Sequence, residues 1–83
     1  MKKVLKVRFI EETTGPYRTY YMQYKKWFFW KTNVVSVGGS PAGVLYDKIY
    51  SYTKEGCLAK NLRHMSLHKD FVTVVEYPTI KKY

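Results

Sequence analysis

Lys25-Lys26-Trp27-Phe28-Phe29-Trp30-Lys31 sets four consecutive aromatic side chains among lysines. It holds both tryptophans of the chain and two of its four phenylalanines. Ammonium groups neutralise phosphates or carboxylates, and flat rings stack on bases or fill a partner's pockets. The chemistry on offer in this stretch is recognition, not bond-making.

Other residue types that do chemistry are sparse. Cys57, His64 and His68 are the soft metal ligands, and the two histidines are spaced to share a helical face. A structural zinc site needs four ligands, and the Glu of a zinc-binding HExxH helix is absent, with Met65 after His64. No metal and no cofactor is expected. Gly38-Gly39-Ser40-Pro41-Ala42-Gly43 has the look of a loop opening a helix, where free N–H groups attract anions. It lacks the lysine of a phosphate loop and the spacing of a dinucleotide fingerprint, so its glycines serve a chain reversal. Asp47, Glu55, Asp70 and Glu76 are dispersed, and no serine or cysteine stands in a nucleophile motif. The chain is not expected to be an enzyme.

Composition bounds the rest. The 83 residues suffice for one domain, 1–83, with 79–83 as a short basic tail. The 46% hydrophobic and 18% aromatic content is that of a folded chain. Fifteen Lys or Arg against six Asp or Glu give a formal charge of +9, which concentrates anionic partners around the molecule. One cysteine allows no internal disulfide, which suits a reducing, cytoplasmic setting. Lys6 and Arg8 interrupt what would be the apolar core of a signal peptide, and no apolar run is long enough for a transmembrane segment.

The elements that must position the aromatic stretch follow from periodicity. Val4–Ile10 alternates, with Leu5, Val7 and Phe9 opposed to Lys6 and Arg8, the pattern of a half-buried strand. Gly15-Pro16 turns the chain into a second strand, Tyr17–Lys25. A reversal near Lys26-Trp27-Phe28 leads to a third strand, Phe29–Val37. Ser40-Pro41 reads as N-cap and first residue of a helix carrying Ala42, Leu45, Ile49 and Tyr52 on one face, with Gly56 as its C-cap. Leu58, Leu62 and Met65 suggest a shorter second helix, and Phe71–Tyr77 a final strand. The predicted fold is α+β: a small two-layer sandwich of a three-stranded antiparallel meander, then one or two helices and a final strand (β-β-β-α-β). The last strand is placed beside the first, in either direction.

This architecture sorts the residues by face. Leu5, Val7, Phe9, Tyr20, Met22, Tyr24, Trp30 and Val34 are assigned to the helix side. Lys6, Arg8, Tyr21, Gln23, Lys25, Phe29 and Lys31 are assigned to the open side. The first expectation is a non-enzymatic protein contacting single-stranded nucleic acid, with Lys6, Arg8, Lys25 and Lys31 on phosphates and Tyr21 and Phe29 on bases. The alternative is a protein-interaction module, an accessory, inhibitor or assembly component of viral or phage type. In that case Trp27 and Phe28 anchor an acidic protein, or dip into an anionic lipid surface. A homo-oligomer formed through the Phe71–Tyr77 edge is also expected, since that strand carries little charge to discourage pairing.

Overall fold

A computed structural model describes residues 3–82. Strand β1 (Lys3–Thr14) runs antiparallel to β2 (Tyr17–Lys26), with Val7 opposite Tyr24, Phe9 opposite Met22 and Glu11 opposite Tyr20. Gly15 joins them at φ 59°, the left-handed conformation that glycine adopts without a Cβ clash. A two-residue turn at Trp27-Phe28 leads to β3 (Phe29–Thr32), which pairs with the second half of β2.

The chain then leaves the sheet. Strands β4 (Val34–Ser40) and β5 (Gly43–Lys48) form a separate antiparallel hairpin, here called the arm. It replaces the second part of the expected third strand and the expected helix from Ser40-Pro41. Ser and Pro at positions i and i+1 with Gly at i+3 satisfy a β-turn as fully as a helix start. Ser40 Oγ accepts from the Ala42 amide at 3.2 Å, which closes that turn. Strand β6 (Tyr50–Ser51) returns to pair with the first half of β2.

Helix α1 (Lys54–His64) follows, and Gly56 lies in its first turn, not at its end. Thr53 caps it, its side chain accepting from the Gly56 amide at 3.0 Å. The C-terminus closes through Ser66 at φ 58°, with Ser66 N–H donating to Arg63 C=O and Leu67 N–H to Leu62 C=O, the two bonds of a Schellman motif. Leu58, Leu62 and Met65, expected on a second helix, therefore belong to the one α-helix and its cap. A 3₁₀ turn (Lys69–Phe71) leads into β7 (Val72–Glu76), parallel to the start of β1. Pro78 has no N–H to donate, and the ladder resumes beyond it as β8 (Ile80–Lys82), parallel to β1 at Ile10–Glu12. The tail expected at 79–83 thus contributes a strand, Ile80–Lys82, among the described residues.

The fold is α+β as expected, a mixed sheet in the order β3-β2-β1-β7 covered by one helix, with the arm beside it. One helix between β6 and β7 supplies the crossover that a parallel final strand requires. Leu5, Val7, Phe9, Met22, Cys57, Leu62 and Val72 form the core between sheet and helix, with Tyr20, Tyr24 and Val74 packed around it.

Candidate interaction surfaces

The outer face of the sheet is read from the register. Arg8 lies opposite Gln23, Gln23 opposite Thr32 and Lys25 opposite Trp30, so these side chains share the side away from the helix. Lys6 and Tyr21 lie on the same side. Arg8 Nε donates to Gln23 Oε1 at 2.7 Å, and Gln23 Nε2 donates to Thr32 Oγ1 at 3.1 Å. The Arg8 guanidinium stands 4.4 Å from the Trp30 ring centre, and Tyr77 meets that ring edge-on at 5.2 Å. Lys48 stands 5.1 Å from the Tyr21 ring centre, and its ammonium is 3.3 Å from Glu12. The rings of this face already carry cations of their own chain.

The assignment of faces in the third strand needs correction. Lys26 pairs with Phe29 and Tyr24 with Lys31, which places Phe29 and Lys31 on the helix side and Trp30 outside. A two-residue turn puts its flanking residues opposite each other on one face, and a shift of one residue exchanges every side chain between faces. Val34, expected against the helix, is exposed on the arm. Of the seven residues assigned to one open face, the structure brings together Lys6, Arg8, Tyr21, Gln23 and Lys25. Phe29 and Lys31 form a separate exposed pair, the ammonium 5.9 Å from the ring centre.

Trp27 and Phe28 are 81% and 94% exposed, at the outer end of the β2–β3 hairpin. Trp27 has φ 59°, a conformation that costs a side-chain-bearing residue about 1–2 kcal/mol. Turn and flanks together present the Trp27, Phe28 and Phe29 rings to solvent beside Lys25, Lys26 and Lys31. The arm is the other apolar exposure. Val37, Val44, Leu45 and Tyr46 are all exposed, and no residue from Thr32 to Tyr46 is charged.

The chain matches no protein-family model, no curated protein and no solved structure. What the surfaces can do rests on their own chemistry.

Cys57 is fully buried, with Sγ 3.9 Å from Ile49 C=O and accepting from Asn61 Nδ2 at 3.5 Å. Burial pushes its thiol from 9.0 up to about 11, partly offset by Lys60 and the Asn61 hydrogen bond. A thiol held in that form is a poor nucleophile and a poor metal ligand at neutral pH. His68 Nδ1 accepts from the Asp70 amide at 3.2 Å and so serves a local turn. Among the described residues no three His, Cys, Asp or Glu side chains converge as a metal site would require, and no helix is long and apolar enough to cross a membrane. An apolar groove of about 670 Å³ lies on α1 over Leu58, Leu62 and Leu67, its rim mixing Glu55 with Arg63 and Lys69.

Two features were missed in the sequence. The arm had a signal in the uncharged run from Thr32 to Tyr46, which suits β structure with open edges as well as a helix. The engagement of Trp30 by Arg8 and Tyr77 had none, because it depends on which way the third strand faces.

Proposed function

We propose that this chain is a non-catalytic interaction module that anchors an acidic protein partner through the Trp27-Phe28 turn. The carrying observation is the exposure of both rings at the end of the β2–β3 hairpin. Tryptophan at an interface centre supplies a large contact area at low entropic cost, and hot spots are enriched in it. Lys25, Lys26 and Lys31 around the anchor steer a partner of opposite charge and add specificity at the rim. A strained backbone at an exposed aromatic residue is the kind of feature that persists where function requires the ring.

The test pairs stability with association. Trp27→Ala/Phe28→Ala should leave the thermal midpoint within about 3 °C of wild type, since neither ring is in the core. In a Trp30→Phe background, Trp27 is the one fluorescent tryptophan, and partner addition should shift its emission to the blue. An unchanged emission on addition of a partner that binds with full affinity would remove the anchor.

A second function is favoured by one observation, the grouping of Lys6, Arg8 and Lys25 with Tyr21 on one face: contact with single-stranded nucleic acid. It ranks below the first because Arg8 and Lys48 already sit at the rings that bases would use.

A further inference from the structure

Helix α1 is apolar on two sides. Cys57 and Leu62 belong to the core under the helix, and Leu58, Ala59 and Leu62 also line a groove of about 670 Å³ whose other wall is Leu67. A helix lying on a single sheet normally turns a polar stripe to solvent. Here Glu55, Leu58, Ala59, Leu62 and Arg63 fall on one stripe of helical spacing, and between its two ends the stripe carries no charge. Leu58 and Leu67 are half-buried and Ala59 is exposed, so the floor is aliphatic, with a small residue that leaves room for a close approach. The charges stand at the ends. Glu55 lies in the first turn, Arg63 in the last, and Lys69 on the segment beyond the Schellman cap. Among the described residues neither Arg63 nor Lys69 forms an ion pair. His68 also borders the groove, and its ring lies 5.7 Å from that of Phe71, which is 70% exposed, so the apolar surface continues to Phe71.

We infer that this groove docks an amphipathic helix of a partner protein, its apolar stripe on Leu58, Leu62 and Leu67 and its carboxylates on Arg63 and Lys69. The surface is separate from the Trp27-Phe28 turn, and the inference does not depend on that anchor. Three observations select this occupant. First, α1 and its cap use their backbone groups in their own hydrogen bonds, so the groove offers no ladder to an added strand. Second, a floor of aliphatic side chains at helical spacing accepts the side-chain ridge of an apposed helix, and it presents no flat ring on which a base would stack. Third, two unpaired cations at one end face a single carboxylate at the other. That polarity favours a helix with its acidic residues at the Arg63 end, and the +9 charge of the whole chain draws such a partner in. A second copy of this chain has the wrong charge for the role, since +9 would meet +9. The 11 residues of α1 span about 16 Å, room for about three turns of the partner helix.

The test is fluorescence anisotropy with two labelled helical peptides of about four turns. Both carry leucines at i, i+3, i+4 and i+7; one has glutamates beside the leucines at one end, the other lysines. Wild type should bind the glutamate peptide and discriminate against the lysine one. Arg63→Glu/Lys69→Glu should bind the glutamate peptide more than about tenfold more weakly and the lysine peptide more tightly. Ala59→Glu, which puts a charge in the floor, should weaken both. Trp27→Ala/Phe28→Ala should bind as wild type does. Equal affinity of wild type for the two peptides overturns the role of the rim. No binding of the glutamate peptide below about 1 mM overturns the groove as a helix site. Loss in Trp27→Ala/Phe28→Ala with full binding by Ala59→Glu places the peptide on the turn, which overturns the groove and keeps the anchor. Decanoate that binds more tightly than the peptide, and is lost in the groove variants, makes this a site for a small amphiphile and overturns the helix. Ala59, Arg63 and Lys69 are exposed, and an unchanged circular dichroism spectrum separates a lost contact from a lost fold.

Discussion

At the scale of single residues, Cys57 and Trp27 are held in opposite ways. Cys57 is enclosed, and its thiol is pushed up because ionisation would place charge against the Ile49 carbonyl and core side chains. A raised folded-state value means the folded chain keeps a proton that the unfolded chain releases. Stability from this residue is therefore complete below pH 9 and falls as pH rises from 9.0 toward about 11. A difference of that size corresponds to about 2–3 kcal/mol. Denaturant melts between pH 8 and 11 should show this fall in wild type and a shallower one in Cys57→Ala. Equal slopes would mean that other groups set the alkaline limit. Trp27, in contrast, stands in solvent at a backbone angle better suited to glycine. Trp27→Gly should raise stability by up to about 1 kcal/mol in the same melts while removing the anchor. A destabilised Trp27→Gly protein would show that the ring supports the hairpin and is no free anchor.

At the scale of elements, the arm depends on its root. Ile49 N–H donates to Asn33 C=O at 3.4 Å, and Asn33 Nδ2 donates to Asn61 Oδ1 at 3.0 Å. Asn61 is buried on α1 and returns a bond to Cys57 C=O at 2.8 Å. A two-stranded hairpin alone is marginal in water, so these bonds fix where the arm stands relative to the helix. Asn61→Ala leaves the Asn33 amide unpaired and should cost about 1–3 kcal/mol. Amide exchange should rise most in Val34–Lys48, and a uniform rise over all strands would mean that Asn61 only fills the core. The arm also marks how far the sequence was legible. Alternation in Val4–Ile10 and Tyr17–Lys25 located the two central strands, because each buries one face against the helix. The placement of the last strand beside the first, and hence the strand order, was legible for the same reason. The Ser40–Tyr52 stretch was not. Its apolar residues fit a helical period on paper, but Gly43 makes Ser40-Pro41 a turn, and no face of the arm is buried to impose an alternation. Phe29 and Lys31 were misplaced because one residue of turn length decides the side, and Trp27-Phe28 has no Gly, Asn or Asp to declare that length.

At the scale of the whole molecule, the +9 charge opposes any contact between copies. The sheet nonetheless ends in β7, which pairs with β1 on one side only, and Val75 on it is exposed. An edge whose one charged residue, Glu76, stands at its very end is a template for pairing. Self-association through β7, if it occurs, should strengthen as salt screens the body charge, the reverse of nucleic-acid binding. Light scattering at low and high salt reads the sign. Val75→Lys should return the high-salt species to monomer, and a wild type monomeric at both salts would leave β7 an unused edge.

The pairing of β1 with β7 and β8 has a consequence for how the protein is made. As the chain emerges from the ribosome, β1 finds one neighbour soon after, β2, and waits for the other until β7 and β8 follow. Contacts between segments so distant in the chain slow folding, since the intervening loop must be ordered before they contribute. Until α1 emerges Leu5, Val7 and Phe9 have no helix above them, and until β7 emerges one edge of their strand is open. Over that interval the apolar face of β1 is exposed to aggregation, and truncation before Val72 should leave β1 with an open edge in place of β7 and β8.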